Sequence, residues 1–191
     1  MHSSWQNDDN GKKFPTVKIE LNSGGLKNTN VVIEMQKQLL DVLNINVEFE
    51  IVSLQQKIND AKHAQAEIFR SCWIADYPSP ENFLWLFYGA NVPETLDQPS
   101  YPNTTRYKNT EYDQLFKLAK NAKTLAESYS YFNQAEQIMI KEAPIMVLWY
   151  DENYRLVRSH VKNLLSNPIR FRDYSQVYLQ NTDRKKILVT R

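Results

Sequence analysis

Two stretches, Thr16-Val-Lys-Ile-Glu-Leu-Asn22 and Ile45-Asn-Val-Glu-Phe-Glu-Ile-Val52, alternate apolar and polar residues, and a helical pattern lies between them. A period of two puts every second side chain on one face, so each stretch reads as a strand with one face buried. Between them Val31, Val32, Met35, Leu39, Val42 and Leu43 recur at helical spacing, with Asn28 or Thr29 placed to cap the helix start. Strand, helix and strand in that order imply a right-handed crossover with parallel strands. Leu54 to Ala64 reads as a second helix and Ala66 to Trp73 as a third, buried strand. The β-α-β-α-β run predicts an α/β lobe: a mixed, largely parallel sheet flanked by helices.

Pro78 and Pro80 forbid continuation of the third strand, because proline donates no ladder hydrogen bond. The stretch from Arg70 to Leu86 around that break holds two of the four tryptophans, the single cysteine and, just past the strand end, Asp76. Open α/β sheets bind ligands in the crevice beyond their strand ends. Asp76 has two readings. As local structure, it caps the short helix after Pro80 or accepts backbone N–H groups in the proline turn. As a site residue, it is a fixed anion flanked by Trp73 and Tyr77 that faces a cationic ligand group. A carboxylate in a partly dry aromatic setting is costly unless paired, so it would favour an ammonium.

Composition narrows the function classes. With 23 basic and 22 acidic residues among 191, no long-range field argues for nucleic acid or an anionic membrane. A single cysteine, Cys72, excludes an internal disulfide and a cysteine-based zinc site, and inside an apolar strand it is best read as a structural thiol. His2, His63 and His160 are isolated, with no second ligand at i+3 or i+4, and no Gly-x-Ser-x-Gly elbow is present. Asn22-Ser-Gly-Gly lacks the lysine and third glycine of phosphate-binding loops and reads as a strand-to-helix turn. Neither catalysis, nor a metal, nor a cofactor is expected. No run reaches the ~18 apolar residues of a membrane span, and the first residues lack the basic and apolar regions of a signal peptide.

Farther along, residues 88–110 have the Tyr, Asn, Pro and Thr content of a long surface loop. Thr110 and Glu111 suit the cap and first turn of a helix whose apolar face is Tyr112, Leu115, Phe116 and Ala119. Ala126 to Lys141 carries the strongest helical pattern, and Met146–Tyr150 and Tyr154–Val157 read as strands.

The segment Trp-Ile-Ala-Asp-Tyr-Pro-Ser-Pro-Glu-Asn-Phe-Leu, residues 73–84, resembles the Trp-x-Ala-Asp-Tyr-x-x-Pro-x-x-Phe-Leu signature of the oligopeptide- and dipeptide-binding proteins that serve ABC importers. The likeness extends to Gly11–Pro15, to Tyr107–Asp113, and to Phe132, Ala135, Glu136, Ala143, Pro144 and Ile145. It covers nearly the whole chain, yet only the C-terminal part of such receptors, which close two lobes over a peptide. The resemblance implies a periplasmic-binding-protein-like (type II) lobe, present as a fragment supplying one wall of the cleft. On that reading residues 1–15 are an irregular lead-in, 16–151 the ligand-binding lobe, and 152–191 a segment returning to the missing N-terminal lobe.

By the same resemblance Asp76 clamps the peptide ammonium and Trp73 lines a pocket. Arg70 falls where some members hold the ligand carboxylate, and Tyr150 falls in an aromatic strand bordering the cleft. Cys72 stands where small residues, often glycine, precede the tryptophan, and would narrow the pocket. The implied partners are a peptide, the importer's membrane subunits and the missing lobe, with a homodimer of the fragment as another cover for exposed apolar surface. The implied location is periplasmic or cell-surface, lipid anchoring included. Receptors for nickel complexes, heme and sugars share this family, and a stand-alone interaction module is the alternative from a different class. In a bacterial-type protein the sequon Asn103-Thr104-Thr105 is read as accidental.

Overall fold

The computed structural model describes residues 14–23, 25–150, 152, 154–166 and 173–180. The expected lead-in therefore lies almost wholly outside the described residues. The first half is the predicted layered unit. Strands β1 (Val17–Asn22), β2 (Val47–Val52) and β3 (Ile68–Phe69) form a parallel sheet in the order β2-β1-β3, with helices α1 (Leu26–Leu43) and α2 (Leu54–Lys62) between them. Register pairs Val17 with Val47 and Ile19 with both Phe49 and Ile68. The alternation of β1 turns Ile19 and Leu21 inward with Val47, beneath Val32 of α1, and these four make one small buried core. Residues of the opposite parity, Glu20 and Asn22, face α2, which buries Lys57, Asp60 and Ala61.

A second core is entirely helical. It joins Leu84 of α3 (Glu81–Leu84) and Phe87 to Tyr112, Phe116 and Ala119 of α4 (Thr110–Asn121) and to Phe132, Ala135 and Met139 of α5 (Leu125–Glu142). Tyr88 stacks on Phe116 at 4.8 Å, and Phe116 meets Phe132 edge-on at 5.7 Å, the geometries aromatic quadrupoles favour. Two short strands, β4 (Val161–Lys162) and β5 (Tyr178–Leu179), pair antiparallel near the C-terminus. No helix among the described residues is long and apolar enough to cross a membrane.

Several boundaries depart from expectation for identifiable reasons. Helix α1 begins at Leu26 and not after an Asn28 or Thr29 cap, because Gly25 at φ 89° turns the chain into the helix without any side-chain cap. Asn28 is instead buried in the first turn. At the other end Asn44 takes the left-handed conformation at φ 54° and donates to the Leu40 carbonyl, a role asparagine tolerates well. Helix α4 is capped by Asn109, one residue earlier than Thr110, and the Asn109 side chain accepts from the Tyr112 N–H at 2.9 Å.

The strands expected at 146–150 and 154–157 do not form among the described residues; no neighbouring strand offers them a ladder. Met146, Val147 and Leu148 stand exposed, and Trp149 lies under the Lys27 ammonium at 4.7 Å.

The loop between the two halves is built on side-chain hydrogen bonds. The Arg106 guanidinium donates to the carbonyls of Lys62 (3.1 Å), Thr95 (3.4 Å), Leu96 (3.3 Å) and Gln98 (2.6 Å), binding the loop to the end of α2. Asn103 has 0% exposure, and its amide donates to the carbonyls of Tyr88 and Tyr107. A sequon asparagine so enclosed carries no glycan in this fold, in keeping with the accidental reading.

Candidate functional site

The third strand is far shorter than its apolar pattern implies, and that shortening builds the site. Only Ile68 and Phe69 pair with β1, and the Arg70 N–H adds one further rung to the Glu20 carbonyl at 2.9 Å. Strand β1 ends at Asn22, so nothing remains for residues 71–80 to pair with, and the chain leaves the sheet. Cys72, expected inside a buried strand, is exposed as a free thiol; the strand has ended before it. Ile68 is likewise exposed, since β3 lies at the sheet edge.

Where the chain departs, Lys57 of α2 fixes its course. The buried ammonium donates to the Arg70 carbonyl at 2.5 Å and to the Asn22 Oδ1 at 2.9 Å, joining the ends of β1 and β3. Burial, and then the nearby Arg70 guanidinium, lower the lysine pKa, while Cys72 and Glu20 oppose that shift. Arg70, Lys57, Cys72 and Glu20 are thus electrostatic neighbours at the sheet's C-terminal edge. The Glu20 carboxyl is pushed up by burial and by the Asp60 and Glu50 carboxylates. Its Oε2 is buried without a hydrogen-bond partner among the described residues.

Trp73 and Asp76 are brought together by a residue that sequence reasoning missed. Asn82, in α3 and only 4% exposed, accepts from the Trp73 indole N–H at 2.8 Å and from the Asp76 backbone N–H at 3.3 Å. The signal available in the sequence was a polar residue between Glu81 and the apolar Phe83-Leu84, inside the signature stretch. The start of α3 is served by Ser79, whose hydroxyl accepts the Glu81 N–H at 3.2 Å, and Pro80 at the N-cap makes no side-chain cap. Asp76 is exposed, and its carboxylate makes no hydrogen bond or ion pair among the described residues. The helix-cap reading of Asp76 therefore has no bond to rest on.

The remaining candidates are more scattered. Tyr77 is exposed beside this turn, near the ion pair of Lys120 with Glu81 at 2.9 Å. Tyr150 is 93% exposed in the segment after α5 and joins none of these contacts. The arrangement offers an uncommitted carboxylate on a backbone held by Asn82, an indole beside it, and a guanidinium six residues earlier. No group of three metal-ligating side chains occurs among the described residues.

No family model matches the chain. Among curated proteins it is similar to the dipeptide-binding protein DppE of Bacillus subtilis, 26% identical across 87% of this chain and 29% of that protein. It is also similar to the periplasmic oligopeptide-binding protein OppA of Escherichia coli, 28% identical across 62% of this chain and 20% of that protein. Among solved structures, the murein tripeptide binding protein MppA of Escherichia coli superimposes with a TM-score of 0.74. That match has 20% identity and covers 90% of this chain and 32% of MppA, so it speaks to fold alone. The chain spans less than a third of the length of each. In sequence the chain is similar to one portion of these dipeptide- and oligopeptide-binding proteins, and in fold to one portion of MppA.

Proposed function

We propose that this chain forms one wall of a peptide-binding cleft in a receptor that delivers peptides to an ABC importer. The observation that carries the reading is the uncommitted Asp76 carboxylate, exposed on a turn whose backbone is pinned beside Trp73. Peptides share a terminal ammonium and a terminal carboxylate whatever their side chains, and a receptor for many sequences does best to hold those fixed groups. Asp76 supplies the charge for the ammonium and Trp73 an apolar wall. Arg70, whose guanidinium has no ion pair among the described residues, supplies the charge for the carboxylate. Cys72 and Tyr77 border the same segment, while Tyr150 belongs to the site only if another part of the receptor gathers it in.

The same reading makes 16–151 the ligand-binding lobe and assigns the residues beyond about 152 to packing against a second lobe. Tyr154 and Leu156, each 91% exposed, support that assignment. It places the receptor outside the cytoplasm, as the names of its periplasmic relatives do for them. The 191-residue chain by itself should bind short peptides more weakly than micromolar, because an open half-site buries too little ligand to offset the entropy lost on association.

Asp76→Asn tests the clamp in the two-lobed receptor. Removing one member of a desolvated charge pair costs about 2–5 kcal/mol, so trialanine should bind roughly 30- to 5000-fold more weakly by calorimetry. N-acetyl-trialanine, which has no ammonium, should bind weakly to parent and variant alike. A variant that binds both peptides as the parent does would show that Asp76 is no clamp.

A further inference from the structure

We propose that Asn82 is the positioning residue of this site and that it decides what Trp73 can read. The inference rests on the peptide-binding reading above and deepens it. Asn82 comes from α3, the first element after the proline turn, and is buried. Its Oδ1 accepts twice, from the Trp73 indole N–H at 2.8 Å and from the Asp76 backbone N–H at 3.3 Å. Because both partners are N–H donors, they also decide which way the amide faces: the oxygen must point at them and the NH2 away. One acceptor thus sets the indole plane and the backbone that carries the clamp. Displacing Asn82 moves both.

The chemical consequence concerns specificity. An indole has a single polar atom, a donor, and in Trp73 that donor is already committed inside the protein. Trp73 therefore meets a ligand through ring carbons alone. Ring carbons reward apolar or aromatic contact and stack on cations, and they leave a ligand hydroxyl or amide unsatisfied. The subsite beside the ammonium clamp consequently takes a peptide whose first side chain is apolar, aromatic or cationic, and disfavours serine or asparagine there. A Trp73 with a free indole N–H would lack that bias.

Three proteins separate the inference from its foundation: the parent, Asn82→Asp and Asn82→Ala. Aspartate keeps the accepting oxygen, whereas alanine removes it. In 1H–15N spectra of the 191-residue chain, the Trp73 indole N–H of the parent should exchange with solvent slowly. In N82A it should exchange about ten-fold faster, the order expected for one lost hydrogen bond, with a displaced Asp76 amide resonance, while N82D stays near the parent. A purely packing role would split N82D and N82A in the same way. A fourth protein, Asn82→Leu, of similar volume and without the accepting oxygen, decides between them: indole exchange as fast as in N82A marks the lost bond, and exchange as slow as in the parent marks packing and overturns the proposal. Equal indole exchange in parent and N82A overturns the proposal.

In the two-lobed receptor, Leu-Ala-Ala should bind the parent about ten-fold more tightly than Ser-Ala-Ala, one apolar contact exchanged for an unmet hydroxyl, and N82A should narrow that gap. Equal affinity for the two peptides in the parent overturns the specificity claim. If neither peptide binds, the clamp and the specificity claim both fall, and the exchange measurement still decides whether Asn82 holds Trp73.

Discussion

The Lys57 ammonium bonds the Arg70 carbonyl at 2.5 Å, so a helix side chain holds the third strand's last rung at the point where the ladder with β1 gives out. The same nitrogen holds the Asn22 side chain at 2.9 Å. Lys57→Met keeps the length and loses both bonds, leaving polar groups without their partner. Loss of such a donor costs about 1–3 kcal/mol, and urea unfolding should register it. An unchanged midpoint would mean that these bonds contribute nothing net.

Glu20 should oppose folding at neutral pH. Its carboxyl pKa is raised in the folded state, chiefly by burial and then by Asp60 and Glu50. A raised acid binds more protons folded than unfolded, so stability falls as pH climbs from the ordinary carboxyl value through the raised one. Glu20→Gln removes that penalty. The variant should equal the parent near pH 4 and exceed it in thermal midpoint near pH 8; a gap that does not widen with pH would refute this. Because the group is partly exposed, solvent screening keeps the gain modest.

Gly89 and Asp113 should behave as a coupled pair. The Gly89 N–H donates to the Asp113 Oδ1 at 2.8 Å, and a Cβ on Gly89 would overlap that carboxylate. Gly89→Ala therefore forces Asp113 to rotate and give up the bond, at about 0.5–1.5 kcal/mol. With Asp113→Ala already made, the obstruction is gone and G89A should cost much less. A double-mutant cycle reads the difference directly, and strict additivity would exclude the coupling.

Tyr112 should not tolerate loss of its hydroxyl. The side chain is fully buried, and its O–H donates to the Leu84 carbonyl at 2.5 Å, tying α4 to α3. Burial above all pushes the phenol pKa up, so it stays a donor throughout the working range. Tyr112→Phe keeps the ring and leaves the carbonyl short of a partner, at about 1–3 kcal/mol. A denaturant midpoint equal to the parent's would disprove the link.

Much of this architecture was legible because the apolar periods are strong. The alternation of Val17, Ile19 and Leu21 and the helical spacing of Val32, Met35 and Leu39 meet in one core. Tyr112, Phe116, Phe132 and Ala135 meet in the other. What misled was an apolar run taken as proof of a strand. A strand needs a neighbour, and neither residues 71–73 nor 146–150 has one among the described residues. Asp76 and Trp73 could be singled out from the proline break and the signature. Asn82 could not, because its role depends on a turn that brings it back nine residues to an indole. Lys57 was equally hidden: nothing local distinguishes a lysine that bonds a carbonyl thirteen residues away from one in solvent.

The enclosed Asn103 bears on how this protein can be made. Oligosaccharide transfer in a eukaryotic secretory pathway acts on Asn-x-Ser/Thr in surface-accessible chain, and a nascent polypeptide passing the transferase is accessible throughout. Asn103-Thr104-Thr105 satisfies that rule before folding, yet the finished fold leaves the Asn103 amide no exposure and engages both Tyr88 and Tyr107. A sugar added early would bar the loop from closing. Secretion from yeast or mammalian cells should therefore yield retained, misfolded material, and Thr105→Ala, which erases the acceptor sequence and gives up only the Thr105 hydroxyl's bond to the Asn103 Oδ1 at 2.9 Å, should restore secretion.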